Sequence, residues 1–502
     1  MLKKNITIFL LLCVLCFQIL NANYTNRESK NLIFRDNCNR QENFRNEEEL
    51  LEFIESIIQT HMIPGLSIVI VKNNSIVWEN YFGYSNLNEN ILVDEDSMFI
   101  LSSISKTITA TALLQLYEDG LMNLDDSIND YLPFNVYNPN YPLSTITFKM
   151  LLSHVSSIKD NWSVMPYYNG DSDLELGYYL EQYLTTGGLF FDNSSNFTNS
   201  IPGSEFNYSN IGAALIGFLV EEISNQPFNE YCMENIFEPL NMENTFWFLS
   251  EIDSIDSVAI PYQYQAGIGD SCFEIGCGIY DEGNECFCDF ACIDFGDCCL
   301  DYEEVCGENG SGSSLDNYIE YSNYGYSDYP SGQLRTTSKS LAKFMMTFMN
   351  DGIYQNNQIL SIDTIDLIKN IYYPEINSNQ GLMWYYKNQD GRTLFGHNGG
   401  DQGSLNEMFI SFSNDIGIVL LSNSTNYDAI IRIENALLDF AEENNFSFIG
   451  DLNNDLILNV LDVIQLVNLV LNNQYDFVGD INNDELVNIL DIIELINIVI
   501  AL

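Results

Sequence analysis

Residues 99–120 read FILSSISKTITATALLQLYEDG. An apolar, strand-like run (Phe99-Ile100-Leu101) leads into Ser103-Ile104-Ser105-Lys106. The stretch Thr107–Glu118 then has a helical pattern that Asp119-Gly120 ends. Side chains three apart on a helical turn share a face, so the Lys106 amine can reach the Ser103 hydroxyl. Serine is a poor nucleophile until a neighbour takes its proton. The same spacing recurs at Ser156–Lys159 and Ser340–Lys343, but only Ser103 lies between an apolar strand-like run and a long apolar helix.

Two further stretches carry chemistry. Tyr208-Ser209-Asn210 follows Pro202-Gly203-x-x-Phe206 and precedes a helical pattern over Ile211–Ile223. Residues two apart on an extended segment point the same way, so the phenol and the amide are expected in one cleft. Tyr321-Ser322-Asn323 and Tyr354-Gln355-Asn356 fit the bare pattern too, without that context. His397-Asn398-Gly399-Gly400 follows Leu394-Phe395-Gly396, and His397 is one of only three histidines. Its glycines allow a substrate backbone to lie against a strand. The Gly400 and Ser103 amides are candidate oxyanion donors, each typically worth roughly 10²–10³ in rate.

Working outward, Gly65–Lys72 and Ser75–Phe82 form two β-rich runs joined at Asn73-Asn74, a hairpin signal. Thr147–His154 is a further helical pattern. Glu407–Phe412 and Gly417–Leu421 read as strands joined at Asn414-Asp415, and Asp428–Glu443 as a last helix. Outer strands from both ends with helices between them predict an α+β fold on an antiparallel sheet. A Ser–His–Asp hydrolase would want a G-x-S-x-G turn, which is absent. Three scattered histidines lack the ligand spacing of a metallohydrolase.

In this order, the three elements resemble the S-x-x-K, Y-x-N and [KH]-[TSN]-G elements of the serine β-lactamase and penicillin-binding-protein superfamily. Pro64-Gly65-Leu66-Ser67, Leu151-Leu152-Ser153-His154, Ser331-Gly332-x-Leu334-x-Thr336-Thr337 and Gly381-Leu382-Met383-Trp384 are similar to its class C, D-aminopeptidase and esterase branch. The resemblance spans residues 47–443. It implies a β-lactamase/transpeptidase-like antiparallel sheet with flanking helices and a helical subdomain. It also implies Ser103 as the acylated nucleophile, with Lys106 and Tyr208 sharing base and proton-relay work. Asn210 orients substrate, His397 replaces the usual lysine, and Gly399 and Gly400 complete the substrate strand. Histidine is near neutral at pH 7, so it offers a substrate carboxylate less than lysine does. The activity implied is hydrolysis of peptide or ester bonds, with D-peptides or small esters as substrates. A catalytically silent binding protein on the same fold is the alternative.

The remaining segments point outside the cell. Met1-Leu2-Lys3-Lys4, an apolar run from Ile6 to Leu20 and Ala22 predict a secretory signal peptide over 1–22, followed by a linker over 23–46. Eight cysteines crowd together at Cys272, Cys277, Cys286, Cys288, Cys292, Cys298, Cys299 and Cys306. That density in a secreted chain predicts a disulfide-stapled insert over 268–312, which resembles a somatomedin B domain. Cys38 and Cys232 are left to pair or to be two buried thiols. With 18 Lys+Arg against 71 Asp+Glu and a net charge of −53, the surface repels nucleic acid and anionic lipid.

Gly450–Leu471 and Gly479–Ile500 repeat 29 residues apart and match at 12 of 22 positions, too many for a chance string of Asn and Asp. Oxygen ligands fall at positions 1, 3, 5, 9 and 12 of each loop. They are Asp451, Asn453, Asp455, Asn459 and Asp462, then Asp480, Asn482, Asp484, Asn488 and Asp491. The carbonyls of Ile457 and Leu486 stand at position 7. This spacing suits Ca²⁺, a hard cation taking oxygen ligands. Position 6, usually Gly, is Leu456 or Glu485. The apolar helix after each loop is expected to pack the two copies together. Residues 448–502 resemble a dockerin, which implies structural Ca²⁺ and a cohesin partner on a scaffold.

Overall fold

The computed structural model describes residue 44 and residues 46–265, 317–444, 450–453, 458–472, 474–482 and 486–501. The expected signal peptide, the insert with its eight cysteines, and Asp455, Ile457 and Asp484 lie outside the described residues. So does most of the expected linker.

Helix α1 (Glu47–Thr60) opens on Asn46, whose side chain accepts from the Glu49 amide. Strands β1 (Gly65–Lys72) and β2 (Ser75–Asn86) form a hairpin. Asn73 and Asn74 turn it at φ of 48° and 58°, a left-handed pair that asparagine tolerates. After the short β3 (Ile91–Leu92) and β4 (Phe99–Ile100), helix α2 covers Ser105–Glu118. Helices α3 (Phe148–Leu152), α4 (Leu176–Leu184) and α5 (Asn210–Ser224) follow. The two-residue β5 (Arg335–Thr336) pairs with β4 and leads into α6 (Ser338–Met349). Strands β6 (Tyr385–Gln389), β7 (Arg392–Asp401), β8 (Ser404–Ser411) and β9 (Ile416–Ser422) precede α7 (Tyr427–Glu443).

Among the described residues the main sheet has seven strands in the order β6-β7-β8-β9-β1-β2-β3, each pair antiparallel. The first and last thirds of the chain meet at its centre, with Val69 opposite Val419. Successive side chains alternate across a sheet. Val69, Val71, Val419 and Leu421 therefore join the main core with Leu341 and Met345 of α6. Ile68, Ile70, Ile418 and Leu420 point the other way, where α7 packs, and are equally buried. The expected antiparallel α+β plan is the observed one.

Helix α2 is buried on almost every side and packs on α5. Its threonines can sit in the core because their hydroxyls find carbonyls: Thr107 donates to Ile104 O (2.7 Å), Thr111 to Thr107 O (2.9 Å) and Thr109 to Pro330 O (2.7 Å). A short ladder, Tyr262–Tyr264 against Tyr318–Glu320, brackets residues 266–316, and the Gln265 amide donates to Asn317 O at 2.8 Å. The described residues on either side of that segment are therefore adjacent. Cys232 is a buried free thiol. No helix among the described residues is long and apolar enough to cross a membrane.

In the C-terminal repeat, α8 (Val460–Asn472) and α9 (Ile489–Ala501) pack on each other around Leu466 and Leu495, both fully buried. Val460, Leu461, Ile464, Ile489, Leu490 and Ile493 remain more than half exposed. The apolar residues therefore divide between an internal seam and an open face.

Candidate active site

Strand β4 delivers the chain to Ser102, which takes a left-handed φ of 50° and opens a single 3-10 turn, Ser102–Ile104, that carries Ser103 and runs into α2. Such a conformation is uncommon for a non-glycine residue and needs outside support. Ser404 Oγ and Asn406 Nδ2 supply it by donating to Ile100 O at 3.0 and 2.9 Å. The β7 strand lies close alongside. A Cβ on Gly399 would stand 2.1 Å from Leu101 O, so only glycine lets β7 approach the turn. The bare face of Gly399 thus meets the protein's own chain rather than a substrate backbone, a correction to the sequence expectation.

Lys106 is fully buried, and its Nζ donates to Ser103 Oγ at 3.0 Å and to Ser331 O at 2.6 Å. It makes no ion pair among the described residues. The Tyr208 ring centre is 5.0 Å from Nζ. The two other Ser-x-x-Lys matches are not built this way: Ser340 donates to Glu243 O and Lys343 to Asn241 O, while Ile158 N–H donates to Ser156 Oγ.

Tyr208 is fixed from behind. Its ring lies 4.4 Å from that of His154, centre to centre, and His154 Nδ1 accepts from the Ser209 amide at 3.2 Å. Burial, with the Lys106 charge, holds His154 well below its ordinary pKa, so the ring is neutral. Asp160 anchors the turn that follows: it accepts from Ser209 Oγ (3.0 Å), Asn210 N (2.9 Å) and Ile211 N (3.1 Å) at the start of α5. A carboxylate suits the positive end of a helix. Because the chain turns helical at Asn210, the strand-like alternation assumed for Tyr208 and Asn210 fails. Two clefts meet at Ser103 and Gly400. Asn210 lines one of about 450 Å³, and Tyr208 lines the other, of about 610 Å³.

His397 is buried on β7, and its Nδ1 donates to Asn398 O at 2.5 Å, leaving Nε2 as an acceptor. Desolvation, then the Lys106 charge, lowers its pKa to about 3. It brings no positive charge to the cleft. Lys387, the cation lining the larger cleft, is engaged with Glu407 (2.9 Å) and Glu434 (2.8 Å). The smaller cleft has no lysine or arginine among its lining residues.

The family model described as Beta-lactamase matches residues 46–440. The chain belongs to the Beta-lactamase family. Among curated members of related sequence, "Protein flp" of Staphylococcus aureus (strain MW2) is 27% identical over 199 residues, 40% of this chain and 38% of that protein. Penicillin-binding protein 4* of Bacillus subtilis (strain 168) is 26% identical over 218 residues, 43% of this chain and 45% of that protein. The chain thus spans less than half the length of the curated relatives it matches. The D-amino acid amidase of Ochrobactrum anthropi SV3 shares the fold, with a TM-score of 0.56 at 18% identity over 78% of this chain and 99% of that one. As a Beta-lactamase family protein, the chain sits in a superfamily of serine hydrolases.

Sequence reasoning missed Asp160, Asp328, Asp401, Tyr167 and the Ser331 carbonyl. Position in a chain rich in Asp and Tyr marks none of the first four, and a carbonyl carries no sequence signal.

The His397 shift has a sign. The unfolded ring takes up its proton near pH 6.5 and the folded one only near 3, so stability contributed above 6.5 is lost as pH falls through that window. Relative to a His397→Gln variant, the chain should lose on the order of 2 kcal/mol between pH 7 and pH 5. Urea unfolding of both at the two pH values measures it, and parallel losses would refute the assignment.

Proposed function

We propose that this protein is an exported serine hydrolase that cleaves small esters or D-amino-acid amides and peptides through an acyl-enzyme. The observation that carries the reading is the Lys106 Nζ–Ser103 Oγ contact, 3.0 Å long, at the junction of two clefts. Ser103 Oγ attacks the carbonyl carbon as its proton passes to the Lys106–Tyr208 pair. The Ser103 and Gly400 amides receive the oxyanion. The carbon–oxygen or carbon–nitrogen bond breaks, and the pair returns the proton to the leaving group. Water then attacks the ester, giving its proton back along the same route, and Ser103 is restored. Asn210 holds the substrate from the smaller cleft. A neutral His397 and a Lys387 already committed to two carboxylates leave little for a substrate carboxylate to bind. This favours simple esters and amino-acid amides over β-lactams and C-terminal carboxylates.

A fluorophosphonate should label the full chain at Ser103, as read by peptide mass spectrometry, and Lys106→Ala should slow labelling at least roughly 100-fold. A folded chain that stays unlabelled would instead support the silent binding protein.

The C-terminal repeat is read as a dockerin-like module that binds Ca²⁺ and engages a cohesin-like scaffold. Its donor set fits the ion. Asp451, Asp462, Asp480 and Asp491 are all buried, and residues 448–502 contain no Lys, Arg or His. Asp462 accepts from the Asn453 and Asn459 amides (3.2 and 2.9 Å), and Asp491 from those of Asn482 and Asn488 (3.3 and 2.7 Å). Both copies therefore close their loops alike. Asn459 and Asn488 turn their side-chain oxygens to cap α8 and α9, at 2.7 and 2.8 Å from the Leu461 and Leu490 amides. When bound, Ca²⁺ would neutralise these buried carboxylates. Chelation should lower the unfolding temperature of the repeat in the full chain, and Asp462→Ala with Asp491→Ala should abolish calorimetric Ca²⁺ binding. An unchanged melt with no binding heat would remove this reading.

The cysteine-rich stretch is read as a somatomedin B-like insert with a protein partner of its own. Thiol titration of the denatured, unreduced chain should find none of the eight cysteines free, and several reactive thiols among them would contradict it.

A further inference from the structure

The smaller cleft has a chemistry that the acyl-transfer reading does not use. It runs from Ser103, Asn210 and Gly400 to a wall that carries two carboxylates, Asp328 and Asp401. Asp401 Oδ1 accepts from Tyr167 Oη (2.6 Å) and from the Gln402 amide (2.8 Å), while Oδ2 accepts nothing among the described residues. Asp328 is buried, and among the described residues it takes one side-chain hydrogen bond, from Ser331 Oγ at 2.9 Å, and forms no ion pair. Arg335, buried in the same region, donates instead to the Gln333 and Tyr324 carbonyls. The larger cleft contrasts with this, since the cation that lines it, Lys387, is ion-paired with Glu407 and Glu434.

Aromatic rings complete the wall. Tyr167 stands edge-on to Tyr326 at 6.0 Å, and Trp162 is 63% exposed at the rim. A carboxylate among aromatic rings is what an organic cation needs: charge-assisted hydrogen bonding on one side and cation–π attraction on the other. The chain's net charge of −53 raises the local concentration of such cations.

We propose that this cleft binds an alkylammonium group of the substrate, with Asp401 as the counter-ion, supported by Asp328 and the Tyr167 and Tyr326 rings. The inference rests on the acyl-enzyme reading and specifies its substrate. The ammonium is either the α-amine of an aminoacyl group or the end of a basic side chain. Both present the same donors to Asp401, and they differ in how far the cation lies from the carbonyl attacked by Ser103.

Paired nitrophenyl esters separate the cases in the full chain: alanyl (both enantiomers) against 2-methylpropanoyl, and 6-aminohexanoyl against heptanoyl. Each pair exchanges ammonium for methyl. In one pair kcat/KM should favour the cation by roughly 10- to 100-fold. A preference that Asp401→Asn removes identifies an α-amine in the first pair and a side-chain amine in the second. Asp401→Asn should reduce that ratio by about tenfold or more. Asp328→Asn, checked like Asp401→Asn for a cooperative melt, should reduce it in the same direction. Ratios near one in both pairs, or equal losses on cationic and neutral esters, would overturn the proposal. Fluorophosphonate labelling of the same samples tells the two failures apart. A labelled chain without preference refutes the ammonium site alone, whereas an unlabelled one refutes the acyl-enzyme reading and this site with it.

Discussion

Lys106 is an amine fully enclosed by protein, and much of the surrounding architecture serves to keep it there. Its partners are a hydroxyl one turn back and a carbonyl that arrives from more than two hundred residues away, at Ser331. Burying an amine without a carboxylate beside it is costly unless hydrogen bonds replace the lost water. The β4–β5 ladder, the Thr109 bond to Pro330 O and the buried Leu334 hold the Ser331 segment against α2, so that the carbonyl is in place. The nucleophile's geometry therefore depends on a tertiary contact as much as on helical spacing.

The same dependence governs the turn at Ser102. A left-handed serine persists because β8 sends Ser404 and Asn406 to the Ile100 carbonyl and because Gly399 lets β7 close in without a side chain. Strain is tolerated where the surroundings over-determine the backbone, and such places tend to be functional. Behind Tyr208, His154 and Asp160 do comparable work on the α3–α5 side. One supplies a neutral ring in contact with the phenol and the other a carboxylate for three donors. The reacting groups are thus held by hydrogen-bonded and packed neighbours, while the substrate surfaces differ on either side of them.

Those two surfaces give the site a polarity. The cation lining one cleft, Lys387, is ion-paired with Glu407 and Glu434, and the other cleft is lined by Asp328 and Asp401, which form no ion pair among the described residues. A neutral His397 in the larger cleft removes the positive charge that a lysine at this position would carry. Selectivity in such a site comes from which charges the protein has already matched internally.

Sequence alone determined the parts that depend on local spacing. The Ser103–Lys106 pair, the helices over α2, α5 and α7, and the strand pairs at both ends of the domain were legible because hydrophobic period and turn chemistry are local. So was the registered repeat, whose buried aspartates fall where its spacing put them. Tertiary structure decided what distance along the chain hides: that Tyr208 and Asn210 serve different clefts, that Gly399 accommodates the protein's own turn, and that Asp160 anchors α5. It also decided which acids line a cleft without an ion pair among the described residues. An aspartate's role is set by what stands beside it after folding, and in a chain with 71 acidic residues no spacing rule marks two of them out.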